Sequence, residues 1–132
     1  MVHEQLFDGV HCTLSIQTFP SPVVVLKISG TDVGEFGDQP MAALAKCLSG
    51  TDPIRLFIDA RDVRGASIEV SGEWAAWLHA NKAHLREVNM LTGSRFVEVT
   101  AGFVMRFAAL QGIMRIYTEA AAFDAALAEA LT

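Results

Sequence analysis

Apolar and polar positions alternate over residues 10–17. Val10, Cys12, Leu14 and Ile16 fall on one side and His11, Thr13, Ser15 and Gln17 on the other, the period of a half-buried strand. Phe19, Pro20, Ser21 and Pro22 supply turn chemistry. The β-branched run Val23, Val24, Val25, Leu26, Lys27, Ile28 reads as a more central strand buried on both faces. Together they predict an antiparallel hairpin. Pro40 suits the first turn of a helix, with Met41, Leu44, Ala45 and Leu48 at helical spacing and Gly50 as its stop. Residues 54–59 predict another strand, followed by a polar loop to Val70. Ser71 suits the N-cap of a helix whose face carries Trp74, Trp77, Leu78, Asn81 and Leu85. Residues 88–91 read as a short strand, and residues 92–94 as a turn and cap. From Arg95 a helix places Phe96, Thr100, Phe103, Phe107 and Leu110 on one stripe and ends at Gly112. Residues 113–117 predict a strand, and Thr118 caps a last helix with Ala120, Phe123, Leu127 and Leu131 inward.

Strands alternating with helices imply parallel pairing through right-handed crossovers, and the opening hairpin adds one antiparallel partner. The expectation is a single α/β domain over residues 1–132, with a mixed, mostly parallel sheet of about five strands and helices packed on it. Sites in such sheets sit beyond the carboxyl ends of the strands. Those ends lead here into residues 30–40, 61–70 and 92–94.

Composition narrows the function classes. A chain of 132 residues, 52% apolar and 19% charged, can bury a core without metal or disulfide help. Its net charge of -5 and the lack of a basic stripe argue against nucleic acid and against anionic lipid as partners. Cys12 and Cys47 make no C-x-x-C pattern and read as reduced thiols. No apolar run is long enough to span a membrane, and the N-terminus lacks the features of a signal peptide, so a cytoplasmic protein is expected.

The element order resembles a STAS domain, the fold of anti-sigma-factor antagonists and SpoIIAA-like proteins. Leu56, Phe57, Ile58 and Asp59 resemble the family's central strand, which ends in an acidic or amide residue. Residues 114–127 resemble its last strand and alanine-rich helix. The stretch with Trp74 and Trp77, followed by Leu91, Thr92, Gly93 and Ser94, is closer to the SpoIIAA-like branch. The antagonists carry Asp-Ser-Ser-Gly with the second Ser as phosphoacceptor, where this chain reads Glu69, Val70, Ser71, Gly72. The resemblance implies a non-catalytic regulatory module in bacterial signalling, binding a protein partner through the edge formed by residues 61–73.

The residues support several site readings. Ser71 and Gly72 at a helix start, with Arg61 and Arg64 on the loop before them, would suit a phosphoryl group or another anion, while Ser71 as a plain cap accounts for the same residue. Asp59, Asp62, Glu69 and Glu73 would add an acidic docking surface. Asp59, Asp62 or Glu69 could instead serve as the base of a hydrolase or transferase. His3, His11, His79 and His84 form no metal motif, and no cofactor fingerprint is present. Gly30, Gly34 and Gly37 read as a flexible connector with Phe36 as its contact residue. Trp74, Trp77, Phe103 and Phe107 would line a pocket for a small apolar, lipid-like ligand. The helix from Arg95 is apolar on more sides than one sheet face needs, with Val97, Val104 or Met105 left exposed, so a homodimer is expected through it or through the Trp74 helix.

Overall fold

The alternation over residues 10–17 is realised as β2 (Cys12–Phe19), paired antiparallel with β3 (Val23–Asp32). The computed structural model describes residues 2–48, 50 and 52–132. A strand not expected from the sequence, β1 (His3–Asp8), pairs antiparallel with the free edge of β2. Its residues are almost all exposed, so no buried face imprinted an alternation on them. The sheet then continues in parallel through β4 (Ile54–Ala66), β5 (Leu85–Thr92) and β6 (Met114–Tyr117), with six strands in chain order.

Between them lie α1 (Gln39–Cys47), α2 (Ile68–Asn81) and α3 (Arg95–Phe107), with α4 (Ala120–Leu131) at the end. The first three cover one face. There Leu44, Leu78 and Val104 pack over Leu14, Leu26, Leu56 and Val88. The last helix covers the other face, where Phe123 and Ala130 meet Val23, Val25, Phe57 and Leu91. The β-branched runs are therefore buried on both sides, as their lack of alternation requires.

Several expectations are corrected. Residues 61–66 are not a loop but the end of β4, pairing with β3 from Ser29 to Asp32. Two register irregularities there flip the facing of successive side chains, and this conceals the alternation in the sequence. Because the strand runs on, α2 starts at Ile68 and its N-cap is Ser67, whose Oγ accepts the Val70 N–H at 3.1 Å. Ser71 lies inside the helix and donates its N–H to the Ser67 carbonyl at 3.0 Å. Finally, α3 is turned about its axis from the expected setting. Val97, Ala101 and Val104 face the sheet and the Phe stripe does not. That helix stops at Phe107 rather than Gly112, because Ala109 takes a positive φ of 58°. In α4 the N-cap is Glu119 rather than Thr118. Phe123 and Ala130 are buried, whereas Ala120 and Leu131 are exposed. The cap at Ser94 is as expected, its Oγ accepting the Val97 N–H at 3.2 Å.

Candidate functional site

The residues expected to converge on Ser71 are split between the two faces of the sheet. Arg61 points to the α4 side. Its Nε donates to Asp59 Oδ1 at 3.0 Å and its Nη2 to Asp124 Oδ1 at 2.7 Å. These hydrogen bonds, Asp59 first, hold the guanidinium still more firmly protonated than usual. Asp62 and Arg64 border a shallow groove with Ser29, Gly30, Thr31 and His11. Ser71 lies on the other side, against the space beneath α2. With its N–H already used in the helix and both arginines on the far face, Ser71 is no anion-binding cap. Glu69 and Glu73 are exposed on α2. Asp62 borders that groove, Asp59 is held by Arg61, and Glu69 stands exposed on α2, so the three carboxylates point to separate places. The 30–40 segment is anchored rather than free. Glu35 accepts the N–H groups of Val10 and His11 at 3.1 and 3.0 Å, and the Phe36 ring sits 5.7 Å from that of Phe7.

Between the sheet and α2 and α3 lies a cavity of about 100 Å³ with almost wholly carbon walls. Ile58, Ala60, Gly65, Trp74, Ala101 and Val104 are among them. The space exists because Ala60, Gly65 and Ala101 are too small to fill the gap that the turn of α3 leaves. Of the four aromatic residues expected around a pocket, only Trp74 lines it. Trp77 stacks edge-on against Trp74 at 6.3 Å, while Phe103 and Phe107 sit on the outside of α3. At its margin Asp32 accepts the Gly34 N–H at 3.0 Å.

The rotation of α3 produces the third feature. Phe96, Val99, Phe103 and Phe107 are 65, 60, 48 and 69% exposed. The last two rings lie 5.3 Å apart. The sequence contains two stripes at helical three- and four-residue steps, 96/99/103/107 and 97/101/104/108. Periodicity favours neither, but the Val and Ala set lets the helix axis approach the sheet closely, which three Phe rings would prevent. Side-chain size was thus the missed signal. The exposed set expected on this helix, Val97, Val104 or Met105, is corrected: the two valines are buried and Met105 is half-buried.

Among the described residues no helix is long and apolar enough to cross a membrane. No protein-family model and no curated protein matches the chain. A solved structure of an uncharacterized DUF3478-family protein with a SpoIIAA-like fold, from Shewanella loihica PV-4, is similar at a TM-score of 0.65 and 16% identity, over 93% of this chain and 99% of that chain. The antiparallel opening hairpin, the parallel continuation and the helix placement of this chain are those of the SpoIIAA-like, STAS-like fold.

Proposed function

We propose that the protein is a non-catalytic regulatory interaction module working through protein contact, and that the contact face is the outer stripe of α3. The observation that carries this reading is the exposure of Phe96, Val99, Phe103 and Phe107 on one helix. Three rings and a valine present on the order of 400–500 Å² of apolar area, the size of the largest patch on a typical monomer, which is often functional. A stable interface needs about 800 Å² per partner, which the stripe and its flanking Arg95, Glu98 and Arg106 approach. The occupant is a second copy. An antiparallel twofold pairing of α3 with itself brings Phe96 of one copy to Phe107 of the other, and a self-complementary patch closes without leaving an edge. Sedimentation at low micromolar concentration should give twice the 14.3 kDa chain mass. Phe103→Asp should return the monomer with its fold intact. A wild-type monomer at that concentration overturns the reading.

A second reading rests on a separate observation, the carbon-walled cavity under α2 and α3. At about 100 Å³ it is somewhat smaller than the ~150 Å³ engineered cavity that takes up benzene. A small neutral apolar molecule would fit it, and Asp32 at the margin would repel a fatty-acid carboxylate. Benzene should bind saturably and shift Trp74 fluorescence. Ala101→Leu should fill the space and abolish the shift. No saturable binding of benzene removes this reading.

A further inference from the structure

The open half of the α4 face holds a polar hollow of about 560 Å³, at the amino-terminal ends of the parallel strands. Its floor is built by register. Arg55 pairs across the sheet with Glu87, and Asn89 with Arg115, so these side chains share one face of β4, β5 and β6. Arg86 and the Tyr117 ring complete its rim, and the end of α4 closes one side.

Two donors in this hollow lack acceptors among the described residues. Asn89 is only 6% exposed. Its Oδ1 accepts the Tyr117 hydroxyl at 3.2 Å, but its Nδ2 has no partner. Arg55 Nε stands 3.2 Å from Glu87 Oε1 as an ion pair, yet its N–H is not aimed at that oxygen and makes no hydrogen bond. Leaving a buried amide donor unsatisfied is costly, and such a group points to an acceptor that arrives from outside. The charge agrees. Arg55, Arg86 and Arg115 surround the hollow against Glu87 and Glu129, a local basic excess in a chain of net charge -5. Arg115 is exposed and stands over Tyr117, its guanidinium carbon 5.9 Å from the ring centroid, which holds the cation at the rim.

We propose that this hollow binds a small metabolite through a carboxylate or phosphoryl oxygen, which accepts from Asn89 Nδ2 and lies between the Arg55 and Arg115 guanidinium groups. Guanidinium forks match the paired oxygens of both groups. The site is independent of the α3 stripe and of the apolar cavity, both on the opposite face. Its place at the amino ends of the strands is the reverse of where open α/β sheets usually hold ligands.

The test is a titration of uniformly ¹⁵N-labelled protein with inorganic phosphate and, separately, citrate, at ionic strength matched with sodium chloride. The readout is the side-chain amide resonance of Asn89. The expected result is a saturable shift with at least one probe, phosphate or citrate alone identifying which oxygen source the site takes. Arg115→Ala should weaken that binding by about tenfold, the loss of one charge-assisted hydrogen bond. Because Arg115 is exposed, the variant keeps the fold. Arg64→Ala, outside the hollow, should leave the affinity unchanged. Two results overturn the proposal. One is no saturable shift with either probe up to ~10 mM. The other is an equal loss in Arg64→Ala, which would reduce the effect to bulk charge.

Discussion

Arg61 Nη2 donates to Asp124 Oδ1 at 2.7 Å, tying the middle of β4 to the first turns of α4. The same guanidinium satisfies Asp59, whose side chain is mostly buried while that of Asp124 is mostly exposed. The two partners therefore matter unequally. Asp124→Ala should cost less than about 1 kcal/mol, the usual worth of an exposed pair. Arg61→Ala should cost about 2 kcal/mol, because it leaves the Asp59 carboxylate buried without its countercharge. Adding Asp59→Asn to Arg61→Ala should recover part of the loss. Urea unfolding of the four proteins checks the order.

The cap on α2 separates two serines. Ser67 has extended backbone and accepts the Val70 N–H, so Ser67→Ala should destabilise by about 1 kcal/mol. Ser71→Ala removes no cap and should change stability by less than about 0.5 kcal/mol. Equal losses in thermal or urea unfolding would contradict this assignment.

The element order was legible because strand and helix periods differ and because β3 carries a β-branched run and β4 the apolar Leu56, Phe57 and Ile58. What escaped was whatever depended on a neighbour. Residues 61–66 look like loop because they alternate charges, but pairing with Ser29 to Asp32 makes them strand, and the helix start moves from Ser71 to Ser67 as a result. β1 is exposed on nearly every residue and carries no pattern. The α3 setting was decided by the sheet beneath it, not by its own periodicity. Arg55, Asn89 and Arg115 sit on three strands and meet only through register, so no motif announces them.

The two stripes of α3 give opposite mutational behaviour. Val104 is buried against the sheet helices and strands, so Val104→Ala should cost about 2 kcal/mol through lost burial and the space left behind. Phe103→Ser removes a larger side chain from an exposed position and should change monomer stability by less than about 0.5 kcal/mol. Unfolding at concentrations low enough to keep both variants monomeric makes the comparison.

Cys12 gives a pH signature. Burial, then the Asp32 and Glu35 carboxylates, push its thiol from 9.0 up to about 11. The unfolded chain thus releases this proton near pH 9 while the folded chain keeps it to about 11. Stability from this residue is fully present below pH 9 and is lost as pH rises through 11. The loss is on the order of 2 kcal/mol. The wild-type minus Cys12→Ala difference in unfolding free energy should fall across that window. At pH 8 a thiol reagent should modify half-buried Cys47 well before Cys12.

Gly93, in the turn between β5 and α3, passes close to the backbone of β4. A Cβ at this position would stand 2.0 Å from the Arg61 carbonyl oxygen and 2.9 Å from its carbon. Both obstacles are backbone within a paired strand, so neither can swing aside as a side-chain tip would. Gly93→Ala must either push α3 away from the sheet or displace Arg61 and break its bonds to Asp59 and Asp124. Each route loosens packing that holds a helix to the sheet, and the cost should be about 3 kcal/mol or more. Gly112 is the control, since an added Cβ there meets nothing within 4 Å and its φ is not positive. Gly112→Ala should be neutral or slightly stabilising through the unfolded chain. Thermal unfolding of the two alanine variants, each compared with wild type, reads the contrast. A Gly93→Ala protein as stable as wild type would mean that the β5–α3 turn does not press on β4.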